Sequence, residues 1–97
     1  MPHLVYTRRA IADIQRCRRF LAAKSPAAAL RAAQVIDERI NILTLTPHIG
    51  RPLPENVNYR ELIVPFGDAG YVVLYRHHLT QDAVYVVSVR HQKEADY

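Results

Sequence analysis

The spacing of apolar residues changes along this chain, and each change predicts an element. His-Leu-Val-Tyr at residues 3–6 is short, apolar and β-branched at its centre, so a first strand is expected there. Thr7 is placed to cap a helix by accepting a bond from a free first-turn amide. Over residues 8–24, Ile11, Ile14, Cys17 or Arg18, and Leu21 recur at helical spacing, and Phe20 widens the stripe. Ser25 and Pro26 open a second helix, because proline at the first helical position gives up no hydrogen bond. Its expected buried stripe is Leu30, Ala33, Ile36 or Asp37, Ile40 and Leu43. It should stop near Leu45, since Pro47 disfavours helical geometry at Thr46.

The loop Pro-His-Ile-Gly-Arg-Pro-Leu-Pro then turns the chain. Beyond it, strands are predicted at Tyr59–Val64, Tyr71–His78 and Ala83–His91, with connectors short enough for hairpins. The order β-α-α-β-β-β predicts an α+β fold in a single domain, residues 1–97. A mainly antiparallel sheet would carry a helical hairpin on one face. Strand parity places Tyr71, Val73 and Tyr75 on one face and Val72 and Leu74 on the other. It likewise opposes Tyr85, Val87 and Val89 to Val84, Val86 and Ser88. Both faces are apolar at mid-length, and two helices cover only one. The second needs another cover: a C-terminal segment, a second copy or a partner protein.

Charge sharpens this picture. Residues 1–24 carry Arg8, Arg9, Arg16, Arg18, Arg19 and Lys24 against Asp13 alone, while the rest of the chain is close to neutral. A basic patch of this kind suits an anionic partner or simply keeps a helix face soluble. No stretch approaches the ~20 apolar residues of a membrane span, and the first residues are too short and polar for a signal peptide. The lone Cys17 permits no internal disulfide, which fits a reducing cytoplasm. A metal site is not expected: His77 and His78 point to opposite faces, and His3 and His48 lack a useful spacing. No phosphate loop or nucleophile–base motif implies a cofactor.

Four segments in order resemble the RelE/ParE superfamily of bacterial toxins. They are the basic helix after a short strand, Leu43–Glu55 with its Pro-x-x-Gly-Arg-Pro loop, Tyr59–His78 with its Tyr-Arg-Glu-Leu and Gly-Tyr strands, and the closing Val86–Tyr97 strand. The resemblance implies a growth-inhibiting toxin of a type II toxin–antitoxin module, held silent by a cognate antitoxin in an oligomeric complex. ParE-like members inhibit DNA gyrase and have no known hydrolytic chemistry; RelE-like members cut messenger RNA on the ribosome. That cleavage needs a base for the 2′-OH proton and cations for the phosphorane.

As a ribonuclease, the chain would use His91, Arg90 and Arg60. Histidine suits proton transfer near neutrality, and arginine offers a fixed fork of donors to phosphate. Contact with the target would involve Arg76, Arg90, His91, Lys93 and Tyr97. Contact with the antitoxin would involve Arg16, Arg19 and one or both of Tyr71 and Tyr75. Plain structural readings stand beside these: sheet-end capping for His91, edge solubility or cross-strand pairing for the strand arginines, core or groove lining for Tyr71, and a disordered terminus for Tyr97. RelE-like ribonucleases tend to carry an arginine or lysine within the third strand, where this chain has Val72 and Val73, and a lysine-rich approach to the second strand, where residues 52–59 here contain no basic group. The chain is therefore expected to lie closer to the ParE-like branch. The alternatives are the ribosome-dependent nuclease and a non-toxic basic interaction module.

Overall fold

The computed structural model describes residues 1–94. Strand β1 (His3–Tyr6) leads into helices α1 (Arg8–Ala22) and α2 (Pro26–Asn41), then a 3₁₀ turn at Ile42–Thr44. Strands β2 (Arg51–Pro52), β3 (Tyr59–Phe66), β4 (Ala69–His78) and β5 (Ala83–His91) follow. The five strands form one sheet in the order β1-β5-β4-β3-β2, antiparallel except where β1 runs parallel to β5. The predicted α+β architecture is the observed one. The short edge strand β2 falls inside the loop expected after α2, where Arg51 and Pro52 pair with Glu61 and Arg60.

Both helices begin as expected. The Thr7 hydroxyl oxygen accepts from the Ala10 amide at 3.1 Å, and that of Ser25 from the Ala28 amide at 3.2 Å. The later parts of both stripes are buried as predicted, Ile14, Cys17 and Leu21 on α1 and Ile36, Ile40 and Leu43 from α2 onward, but their first turns are rotated by about one residue. On α1 the buried residues are Ala10, Asp13 and Cys17, with Ile14 and Leu21 partly buried, while Ile11 and Phe20 face outward. On α2 they are Ala29, Ala32, Ile36 and Ile40, and Leu30 is exposed. Small residues occupy the contact line because they let the helix backbones approach closely, which displaces the larger Ile11 and Leu30 outward.

The helices cover the face carrying Leu62, Val64, Tyr71, Val73 and Tyr75. On β5 the parity expectation fails midway. Val84 and Val86 join this core, but so does Val89. The register explains it: Leu74 pairs with Ser88 and Tyr75 with Val86, leaving Val87 as an extra residue in a β-bulge. The Thr7 hydroxyl lies 2.9 Å from the carbonyl oxygens of both Val86 and Val87, so the start of α1 is pinned to the bulge. The opposite face carries Glu61, Ile63, Val72, Leu74, Arg76, Tyr85 and Arg90, and no helix covers it.

Candidate functional site beside the last strand

The only acidic residue of the basic first helix turns out to organise its docking. Asp13 is buried among cations, and its carboxylate accepts from the Val89 amide at 3.0 Å and from Arg16 at 2.6 Å. Arg16 also reaches Glu94 at 3.0 Å. The Arg16 guanidinium is held above its ordinary range, first by its bond to Asp13 and then by Glu94, against the effect of burial. Helix, strand and the turn after the strand are thus tied through one arginine.

That turn presents His91. The His91 amide donates to Glu94 at 3.0 Å, the Glu94 amide donates back to the His91 carbonyl at 3.0 Å, and the Gln92 amide bonds Gly70 at 2.9 Å. Burial alone pushes the Glu94 carboxyl up. The His91 amide, the Arg16 bond and the Arg16 charge outweigh it, so the carboxyl titrates below its usual range. The His91 Nδ1 accepts from the Lys93 amide at 3.1 Å. In the neutral ring the proton therefore sits on Nε2. The His91 ring meets Tyr71 edge-on at 5.4 Å.

Beside these groups lies a groove of about 680 Å³ between α1, the β3–β4 hairpin and the terminal turn. Its apolar lining includes Phe20, Leu21, Phe66 and Tyr71; Lys24, His91 and Lys93 edge it. Phe20 is 66% exposed, with the Lys24 ammonium 4.7 Å from its ring centre. Cys17 lines the same groove, but burial pushes its thiol up, so it stays protonated and is a poor nucleophile.

The sequence-derived candidates divide. His91, Lys93, Arg16 and Tyr71 meet at this groove. Arg19 does not: it lines a separate surface hollow with Arg18, Pro26 and Leu30. Tyr75 is fully buried, and its hydroxyl donates to the Pro47 carbonyl at 2.8 Å and accepts from the Gly50 amide at 2.8 Å. It belongs to the architecture and offers a partner nothing. Arg60 faces the helix side and clamps the same loop, donating to the Gly50 and His48 carbonyls at 2.7 and 3.2 Å. Its row holds Tyr75, whereas the His91 row holds Tyr71, four residues or ~13 Å away along β4. Arg90 occupies the uncovered face, 3.9 Å from Glu61, which also pairs with Arg51 at 3.0 Å. The three catalytic candidates therefore do not converge. Arg76 is on the uncovered face as well, over the Tyr59 ring at 6.0 Å. Tyr97 lies outside the described residues. Asp13 and Glu94 were missed; the lone acid in a run of cations was the available signal for the first.

Among the described residues, no group of three or more His, Cys, Asp or Glu side chains is placed to hold a metal ion. No described helix is long and apolar enough to cross a membrane.

Comparison with known proteins matches residues 4–96 to the family model described as the ParE toxin of the type II toxin–antitoxin system parDE. Toxin RelE3 of Caulobacter vibrioides is 40% identical over 86 residues, which is 89% of each chain. Toxin RelE1 of the same organism is 33% identical over 86 residues, 89% of this chain and 88% of that one. A chain of the chromosomal ParDE TA system from P. aeruginosa superposes with a TM-score of 0.75 over 94% of this chain and 96% of that chain, at 23% identity, and shares the fold. With the whole helical hairpin, sheet and closing strand inside the matched span, this chain belongs to the RelE/ParE family of type II toxins, whose members work against a cognate antitoxin.

Proposed function

We propose that this toxin arrests growth by ParE-like inhibition of DNA gyrase in the cytoplasm, and that it does not cut RNA. The observation that supports this reading is the scatter of the three candidate catalytic groups. Arg60 is committed to loop carbonyls and Arg90 stands beside Glu61 on the other face. In the neutral ring the His91 Nδ1 lone pair that a general base needs accepts from the Lys93 amide. Beside Arg90, where a nuclease would gather cations, the cross-strand row holds Ile63 and Val72.

The cognate antitoxin would lay an apolar segment into the groove beside Phe20, Leu21 and Phe66, with acidic residues toward Lys24, Arg16 and Lys93. Apolar burial would carry the affinity, and charge would speed encounter. Arg19, on its separate hollow, would act only through that wider field.

Ribosome-dependent RNA cleavage is the second reading. It is favoured by the neighbouring Arg90 and His91 at a strand end and by the RelE names of the two Caulobacter relatives. Purified protein separates the two. Loss of gyrase supercoiling and trapped cleaved DNA, with ribosome-bound messenger RNA intact, is expected. Codon-positioned cuts in translating ribosomes with supercoiling unaffected would overturn the gyrase reading. Normal growth with soluble, verified expression would remove the toxin function itself.

A further inference from the structure

The uncovered sheet face holds a second surface that neither the groove nor His91 explains. The register sets Tyr59 of β3 opposite Arg76 of β4, and Arg76 opposite Tyr85 of β5. Val5 of β1 continues the same row, and the next row holds His3, Ala83 and His78. Parity puts these side chains on one face. Three strands, ~4.8 Å apart, thus present tyrosine, arginine and tyrosine side by side. The Arg76 guanidinium lies over the Tyr59 ring at 6.0 Å, and the His78 and Tyr85 rings meet edge-on at 6.4 Å. Tyr59, Arg76, His78 and Tyr85 are all half-buried, and His3 is exposed. The Tyr85 hydroxyl is anchored by Gln81, and His78 Nδ1 accepts from the Gln81 amide at 3.3 Å, so both rings are held in place.

Arg76 differs from the other arginines of the sheet. Arg51 stands 3.0 Å from Glu61, Arg90 stands near the same carboxylate, and Arg60 is committed to carbonyls. Among the described residues, no carboxylate lies within ion-pair distance of Arg76. Asp82, at the adjacent hairpin turn, is turned to His77 at 3.3 Å. A fork of donors without a carboxylate partner, over one tyrosine ring and opposite a second tyrosine on the next strand, has the chemistry of a phosphate contact beside base-stacking positions.

We infer that the row Tyr59–Arg76–Tyr85 binds single-stranded nucleic acid, with bases stacked on the tyrosines and a backbone phosphate on Arg76. A paired duplex does not fit, because its bases are already stacked on one another and only its phosphates are offered. The surface lies five residues, ~17 Å, along β4 from the His91 row, so it is distinct from the groove. It stands whether the toxin acts on gyrase or on the ribosome.

The test is fluorescence anisotropy of the full chain with a labelled twelve-residue oligothymidylate and with a duplex of equal length, across a salt series. Tighter binding of the single strand is expected. Tyr59→Leu and Tyr85→Leu, which keep apolar bulk but remove the ring, should each weaken it about five- to hundredfold. Tyr85→Phe should bind like the parent. Arg76→Ala should weaken binding and flatten the salt slope by about 0.7. Circular dichroism confirms that each variant is folded. Equal affinity for duplex, no binding, or unchanged binding in both leucine variants would overturn the inference. So would loss on Arg18→Ala with Arg19→Ala while the sheet variants bind normally, since the basic helix would then be the site. Displacement by an acidic peptide at concentrations where free oligonucleotide fails to compete would assign the surface to a protein instead.

Discussion

The helix side of the sheet is finished at its two ends by opposite means. At one end the loop at Pro47–Gly50 is strapped to β3 and β4 by Tyr75 and Arg60, the Tyr75 hydroxyl and the Arg60 Nη1 both ending on backbone groups of that loop. At the other, His91, Lys93 and Glu94 form a turn held by surface hydrogen bonds, with a cation and a ring nitrogen left toward the groove. Arginine, tyrosine and histidine occur at or beside both. What separates architecture from a working surface is where their donors end: Tyr75 and Arg60 donate to their own loop, whereas the second end turns donors toward the groove.

The largest effect should come from forcing the strapped end open. A Cβ on Gly50 would stand 2.6 Å from the Tyr75 ring and hydroxyl and 2.9 Å from the Glu61 carbonyl. Gly50→Ala should cost about 3 kcal/mol, at the top of the usual overpacking range. Tyr75→Phe, which strands the Gly50 amide and the Pro47 carbonyl, should cost ~1–3 kcal/mol. Because both act on one strap, the double variant should fall short of the sum. Chemical denaturation measures all three; full additivity would show that the strap is not a unit.

Next is Asp13→Ala. It removes the acceptor of the Val89 amide and leaves Arg16 with Glu94 and a long bond to the Val89 carbonyl, and should cost roughly 1–2 kcal/mol. If stability is unchanged, α1 is docked by its apolar contacts and the buried carboxylate is incidental.

The turn end should be softer. Glu94→Gln should change stability by less than about 1 kcal/mol, as for other exposed pairs. The Glu94 carboxyl is depressed in the folded state, so its contribution is present above the ordinary carboxylate value of 4.5 and is lost as pH falls below it through the folded value. Parent and Glu94→Gln stability curves should therefore converge on acidification. Curves that stay parallel would deny the pair any role.

His91→Ala should have the smallest effect on stability, within about 0.5 kcal/mol, yet reduce growth arrest. Full toxicity in a folded variant would make the turn a solvated strand end, and the contrast between the two ends would reduce to one of rigidity.

Much of the scaffold was legible because it rests on local rules. Thr7, Ser25 and Pro26 mark helix starts by capping chemistry, and Pro47 marks an end. The strands followed from alternation. Only the first turns of the α1 and α2 stripes were displaced, because hydropathy favours Ile11 and Leu30 for burial, whereas close helix contact favours Ala10, Ala29 and Ala32. The bulge at Val87 was invisible, since Val-Val-Ser-Val alternates equally well with or without an extra residue.

The sequence alone determined the order of elements, the basic character of α1 and the resemblance to a toxin family, because each depends on neighbours within a few positions or on motifs in series. The tertiary structure decided what the charged residues do. Arg60, Arg76 and Arg90 are alike in sequence, but alternation and register send Arg60 to loop carbonyls, Arg90 toward Glu61 and Arg76 between two tyrosines. A charged side chain is defined by its nearest partner, and for these residues that partner lies on another strand or in a distant loop.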